Sequence, residues 1–275
     1  MATPIGNLED LTFRALAVLR TADLVAAEDT RRTRKLLSHY DIRVKTVSYR
    51  EQNRESAGTA ILSKIRDGCR VVLVTDAGTP GLSDPGHHLV RLCAANNIRV
   101  VPVPGANALT TALSVSGMPV DRFLFEGFLP SRRAARRDRL AEIGASAVPF
   151  IVYESPVRIA DTLDDIAEIL GAREVVVARE MTKIHEEFIR GTAGEVAGHL
   201  HAGEVKGEIT VIVAGSKAPG VNINILGAAK RLLKEGIPPS RSAAILAELT
   251  GVDRQTVYRA VSGLSGRKKQ GEDDG

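Results

Sequence analysis

Along the chain, short runs of β-branched and aliphatic residues alternate with stretches whose apolar positions recur every three or four residues. The runs are DLVAAED (23–29), TVSY (46–49), RVVLVT (70–75), IRVVPV (98–103), RFLFEG (122–127), PFIVYE (149–154), EVVVARE (174–180) and EITVIVAG (208–215). They have the length and composition of buried strands. The stretches between them read as helices. In the first, Leu8, Leu11, Ala15, Leu16 and Leu19 share one face, Asn7 stands as the cap, and Glu9 and Asp10 sit in the first turn. This alternation predicts an α/β fold with a mainly parallel sheet.

Gly/Pro breaks divide the pattern. SGMPVD (116–121) separates an α/β domain over 1–117 from a second over 118–217. KAPGVN (217–222) opens a helical module over 222–266, and the charged residues 267–275 are expected to be disordered. An α/β domain ordinarily opens with a strand, whereas this chain opens in the loop ATPIGN. The expectation is that the fold lacks its first strand or that the start lies upstream of Met1.

With 275 residues, 44% of them hydrophobic and 25% charged, the chain can bury a sizeable core. No apolar run is long enough to span a bilayer and no secretory signal is visible. Cys69 and Cys93 are the only cysteines, which argues against a disulfide framework and fits a cytoplasmic protein. The six histidines show no metal-ligand spacing, so no metal is expected. A net charge of +4 permits an anionic partner without requiring one.

Ligands of open α/β sheets bind beyond the carboxyl ends of strands. Three loops rich in Gly and Pro fall there: TPIGN (3–7), DAGTPGLSDPG (76–86) and PVPGANA (102–108). Neither the dinucleotide fingerprint nor the Walker pattern is present, and Asp76 and Asp84 would repel phosphate. Acidic residues in a glycine-rich cleft suit a cationic, hydroxyl-bearing ligand, and S-adenosylmethionine fits both descriptions.

Seven segments in order, TPIGNLEDLTFRAL, AAEDTRRT, VTDAGTPGLSDPG, PVPGANA, DRFLFEGFLP, YESPVR and ARE-x-TK, resemble the ribosomal RNA small subunit methyltransferase I family of the tetrapyrrole-methylase-like class. The resemblance runs from Ala2 to about Leu264. It implies two α/β domains of the tetrapyrrole methylase type with a cofactor cleft between them, plus the small helical C-terminal module. It also implies a homodimer and 2′-O-methylation of a cytidine in the decoding centre of 16S rRNA within the small ribosomal subunit, with no DNA or membrane partner. By motif position, the S-adenosylmethionine contacts fall on Gly6, Asp76, Gly78, Thr79, Pro80, Ser83, Asp84, Gly105, Asn107, Ala108, Tyr153, Glu154 and Thr210.

Methylating a ribose hydroxyl needs alignment and a group to take the proton. Carboxylates at strand ends are Glu28, Asp29, Glu126, Glu154 and Glu180; Glu28 and Asp29 are favoured for the catalytic role. Asp29 is equally well placed to cap the helix that follows. Two arginine runs are candidates for RNA phosphates: Arg31, Arg32 and Arg34 in TRRTRK, and Arg132, Arg133, Arg136 and Arg137 in SRRAARRDR. A charged face in solvent is the plainer account of each. Arg43, Arg50 and Arg54 extend the path, Tyr49 and Tyr153 are stacking platforms, and Phe128 is expected in the core. In the module, 240–261 reads as a helix-turn-helix turning at Gly251, with Asp253 as cap and Arg254, Gln255, Tyr258 and Arg259 exposed. Two other readings stay open: a C-methyltransferase of tetrapyrroles (uroporphyrinogen or precorrin), and a helix-turn-helix nucleic-acid-binding regulator.

Overall fold

The computed structural model describes residues 1–81, 86–216, 225–250 and 253–266. Two compact units divide the chain, Met1–Gly215 and Ser216–Gly275.

The first unit holds two sheets. Strands β1 (Leu24–Ala27), β2 (Lys45–Ser48) and β3 (Val71–Val74) form a parallel sheet in the order β2-β1-β3. Alternate β1 side chains serve opposite faces, as the pleat requires. Val25 and Ala27 join Leu19 and Leu37 on one side, while Ala26 meets Tyr49, Ile61 and Leu89 on the other. Helices α1 (Phe13–Thr21) and α2 (Thr30–His39) supply the first face, and α3 (Arg54–Arg66) and α4 (Gly86–Ala95) the second. Asn7 caps a 3-10 turn, Leu8–Asp10, rather than α1; Thr12 caps α1 by accepting from the Ala15 amide.

The second sheet departs from the parallel expectation. Its order is β4-β5-β8-β6-β7, from β4 (Leu124–Phe128), β5 (Phe150–Glu154), β6 (Glu174–Arg179), β7 (Glu187–Thr192) and β8 (Ile209–Val213). Only β4 and β5 run parallel; the other three pairings are antiparallel. Strand β7 was not foreseen. It is an edge strand, Glu187–Thr192, in which only Phe188 and Ile189 are apolar and no side chain is fully buried. The expected strand at 98–103 is not a strand. There the Val103 carbonyl accepts from the Ala2 amide at 3.0 Å, a single contact that builds no ladder.

Helices α6 (Arg133–Gly144), α7 (Ile159–Leu170) and α8 (Ala193–His201) cover one face of this sheet, through Leu140, Leu163, Ile166 and Val196. The other face is covered by Leu109, Ala112 and Leu113 of α5 (Ala108–Ser116), together with Ile5 from the first loop. Residues early in the chain therefore close the inner face of the second sheet, and the loops of both sheets meet there.

The second unit has helices α9 (Ile225–Lys234), α10 (Pro239–Thr250) and α11 (Arg254–Gly266) around Ala229, Ala243, Leu246, Val257 and Val261. Asp253 caps α11, accepting from the Thr256 amide at 3.0 Å. Arg254, Gln255, Tyr258 and Arg259 are exposed. The Gly251 turn lies outside the described residues.

Candidate active site

Parallel pairing of β1 with β3 sets Ala27 opposite Val74, so the chain leaves both strands side by side. Glu28 and Asp29 follow β1; Thr75 and Asp76 follow β3. The Asp29 amide donates to Asp76 Oδ1 at 2.8 Å, and the Asp76 amide donates to Glu28 Oε2 at 3.4 Å. This reciprocal clasp holds two carboxylates next to each other, each partly compensated by a backbone N–H.

The first loop joins this clasp to the second sheet. Thr3 and Gly78 exchange backbone hydrogen bonds at 2.9 and 3.0 Å, and Gly78 has φ +78°, a conformation suited to glycine. Gly6 lies against the 181–183 turn so closely that a Cβ would stand 2.7 Å from the Met181 carbonyl oxygen. The Asn7 amide donates to Thr182 Oγ1 at 3.0 Å. Glu180 and Thr182 in that turn hold positive φ, an uncommon state for residues with side chains.

Three adjoining cavities open from this frame. The central one, about 380 Å³, is lined by the carboxylates of Asp76, Glu28 and Glu208 and by the apolar surfaces of Ile5, Met181 and Tyr153. It is the size of a small-molecule site. The second, about 600 Å³, lies beyond Glu28 and Asp76, towards Arg31, Arg50 and Gln52. The third, about 250 Å³, lies beyond Arg32 towards Lys35, Lys183 and Gly6. Asp76 lines all three, and Glu28 lines the first two.

Of the expected cofactor residues, Asp76, Gly78, Thr79, Asn107, Ala108, Tyr153, Glu154 and Thr210 line the central cavity. Gly6 lines the third, while Pro80 and Gly105 line none of these three; Gly105 packs against Ala2. Ser83 and Asp84 lie outside the described residues. The Glu154 carboxylate is buried and bound internally, by Thr162 Oγ1 and the Ser155 amide at 2.8 Å each and by Arg158 at 3.1 Å. Burial raises the Tyr153 phenol above its ordinary value and keeps it neutral. Phe128, expected in the core, is exposed, meets the Tyr153 ring and lines the central cavity. Ile5, Met181 and Glu208 went unforeseen; the positive φ at Glu180 and Thr182 that brings Met181 in has no signature in sequence.

The strand-end carboxylates separate by their partners. Glu126 is held by Arg139 at 2.6 and 2.7 Å, and Glu180 by Lys183 at 2.7 Å. Asp29 caps α2 and accepts from Arg31 Nη2 at 2.7 Å. Hydrogen bonds from the Arg31 side chain and amide hold its carboxyl well below the usual range, which makes it a weak base. Glu28 alone among the five borders both large cavities.

The arginine runs separate too. Arg31, Arg32 and Arg34 on α2 are exposed, the first two on cavity walls, and Arg34 shares an open groove of about 860 Å³ with Arg43 and Lys45. On α6 the expectation of a phosphate-binding face is corrected at Arg136, and Arg133 and Arg137 are drawn into ion pairs. Arg136 is buried and donates to Asp165 Oδ2 at 2.7 and 2.9 Å. Arg133 and Arg137 reach Asp165 Oδ1 at 3.0 Å each, and Arg137 also binds Glu168. Arg132 alone of those four has no ion pair among the described residues and stays exposed.

Residues 2–197 match the model of the Tetrapyrrole (Corrin/Porphyrin) Methylases family. The chain is 50% identical over 216 residues to a ribosomal RNA small subunit methyltransferase I of Halalkalibacterium halodurans, covering 78% of this chain and 75% of that one. It is 42% identical to the protein so named from Synechocystis, over 94% of this chain and 95% of that one. A solved cobalt precorrin-4 methyltransferase of cobalamin biosynthesis shares the fold, with a TM-score of 0.59 at 16% identity over 78% of this chain and 92% of that one. Fold, clustered motifs and full-length identity together establish that this chain belongs to the ribosomal RNA small subunit methyltransferase I family, S-adenosylmethionine-dependent enzymes on the tetrapyrrole methylase fold.

Proposed function

We propose that the chain methylates the 2′-oxygen of a cytidine ribose in the decoding centre of 16S rRNA, with donor and acceptor in the two larger cavities. The observation that carries this reading is the shared wall: Glu28 and Asp76 border both. The central cavity suits S-adenosylmethionine, since it combines carboxylates with apolar and aromatic surfaces, as a cationic nucleoside requires. When bound, S-adenosylmethionine supplies an electrophilic methyl group. Asp76, Gly78, Thr79, Asn107, Ala108, Tyr153 and Thr210 hold it, with Gly6, Pro80, Gly105 and the loop carrying Ser83 and Asp84 in support. Glu28 accepts the ribose proton, a role worth about 10²–10⁴ in rate. Asp29 fixes the start of α2 beside it. Arg31, Arg32, Arg34 and Arg132 take phosphates, each arginine able to grip two oxygens.

Homodimer formation and a cytoplasmic location belong to the same proposal; among the described residues, no helix is long and apolar enough to cross a membrane. The tetrapyrrole reading rests on fold alone, at 16–18% identity to solved structures of a cobalt precorrin-4 methyltransferase and a uroporphyrin-III C-methyltransferase. Mass mapping of ribose methylation on small-subunit RNA after incubation with the protein and donor tests the proposal. A new 2′-O-methyl cytidine, lost by about 10²–10⁴-fold in Glu28→Gln and by much less in Asp29→Asn, supports it. No added methyl on RNA, or transfer to uroporphyrinogen instead, overturns it.

A further inference from the structure

The 600 Å³ cavity has a wall that the reaction above leaves unused. It is the turn after β2, where Ser48, Arg50, Glu51, Gln52 and Asn53 face the Glu28–Asp76 wall. The turn is rigid. Asn53 Oδ1 accepts from the Arg50 amide at 2.7 Å, and its Nδ2 donates to the Ser48 carbonyl at 3.2 Å. Arg50 Nε donates to the Glu28 carbonyl at 2.9 Å, which ties the turn to the strand end that carries the proposed base. Beneath it, Tyr49 is buried with its hydroxyl 2.8 Å from His88 Nδ1, and burial pushes the phenol up to about 12.

Two side chains on this rigid turn remain available. Gln52 is exposed, and among the described residues its amide has no hydrogen-bond partner. Glu51 is bound by Arg54 through Oε1, which leaves Oε2 for a ligand. A carboxylate accepts from the exocyclic amine of cytosine and repels the O4 of uracil, whereas an amide can turn to suit either base. Arg50 keeps its two terminal nitrogens, and Arg31 presents an 80% exposed side chain at the mouth. Two cations, a carboxylate, an amide and the Glu28–Asp76 wall shared with the donor cavity together supply partners for the phosphate, base and ribose of one nucleotide.

We infer that this cavity holds the acceptor nucleotide and that Glu51 selects cytosine over uracil, while Gln52 beside it binds either base. The inference rests on the proposed reaction and assigns its base specificity. Arg50 is a positioning residue, since it fixes the turn relative to Glu28.

The test uses the full chain, S-adenosylmethionine and small ribosomal subunits bearing either cytidine or uridine at the nucleotide that mass mapping finds methylated. For Glu51→Gln, kcat/KM for cytidine falls about 10- to 100-fold and the cytidine-to-uridine ratio falls at least tenfold. For Gln52→Ala both acceptors lose activity alike, because the amide serves either base. In both variants the donor Kd from calorimetry and the melting temperature stay at wild-type values. An unchanged cytidine-to-uridine ratio in a folded, donor-binding Glu51→Gln protein overturns the inference alone. Absence of transfer by the wild-type protein to either particle overturns the inference together with the proposed function.

Discussion

Helices α2 and α6 carry similar arginine runs and put them to different use. On α2, Arg31, Arg32 and Arg34 stand in solvent at the rims of the cavities. On α6, three of four arginines close on Asp165, a carboxylate with no exposed side-chain surface on α7. The difference is set by the neighbour. On α2 the acids that pair with Arg31 and Arg32 are Asp29, Asp76 and Glu208, none of them fully buried, whereas α7 offers Asp165, with no exposed side-chain surface, directly across from α6. Where a counterion is buried, a guanidinium can follow it into the core, as Arg136 does, while Arg137 is partly covered and Arg133 keeps an exposed side chain paired to the same acid.

The largest effect should come from breaking that network. Asp165→Asn leaves three guanidiniums around a neutral amide and should cost about 3–5 kcal/mol in denaturant unfolding. Arg34→Ala on α2 should leave the denaturant midpoint unchanged. If both variants unfold alike, the contrast between the helices fails.

Acid titration comes next. Burial alone would raise the Asp165 carboxyl, but hydrogen bonds from Arg136, Arg137 and Arg133 outweigh it and hold it below its ordinary 3.8. A carboxyl depressed in the folded state stabilises above its unfolded value and loses that contribution as pH falls through the folded one. Urea midpoints should therefore drop as pH is lowered below about 3.8, and Asp165→Asn should flatten that limb of the curve.

The smallest effect concerns RNA. Removing a phosphate contact reduces the salt dependence of single-strand binding by about 0.7 in the log–log slope. Arg34→Ala should show this, and Arg136→Lys should not. An equal change in both would return α6 to the binding face.

Much of the fold was legible because burial leaves a periodic trace. Val25 and Ala27 against Ala26, and Phe150 and Val152 against Ile151, feed clusters on opposite faces, which is why both strands read as unbroken apolar runs. The cofactor loops were legible for a related reason. A strand that ends in Asp, Gly, Thr and Pro has few uses besides bringing backbone near a ligand. Strand β7 escaped because an edge strand need not be apolar, and 98–103 misled because an apolar run becomes a strand only when a partner supplies its ladder.

By itself the sequence determined most of the element types, the capping of α2 by Asp29 and of α11 by Asp253, the α/β class and the family. These depend on neighbours along the chain or on motifs read in order. Only the tertiary structure decided that the second sheet is mostly antiparallel, that Glu28 rather than Asp29 faces both large cavities, and that α6 spends its arginines on Asp165. The physical reason is the same in each case. A hydrogen bond or an ion pair is fixed by which groups meet across space, and residues tens of positions apart meet only once the chain has folded.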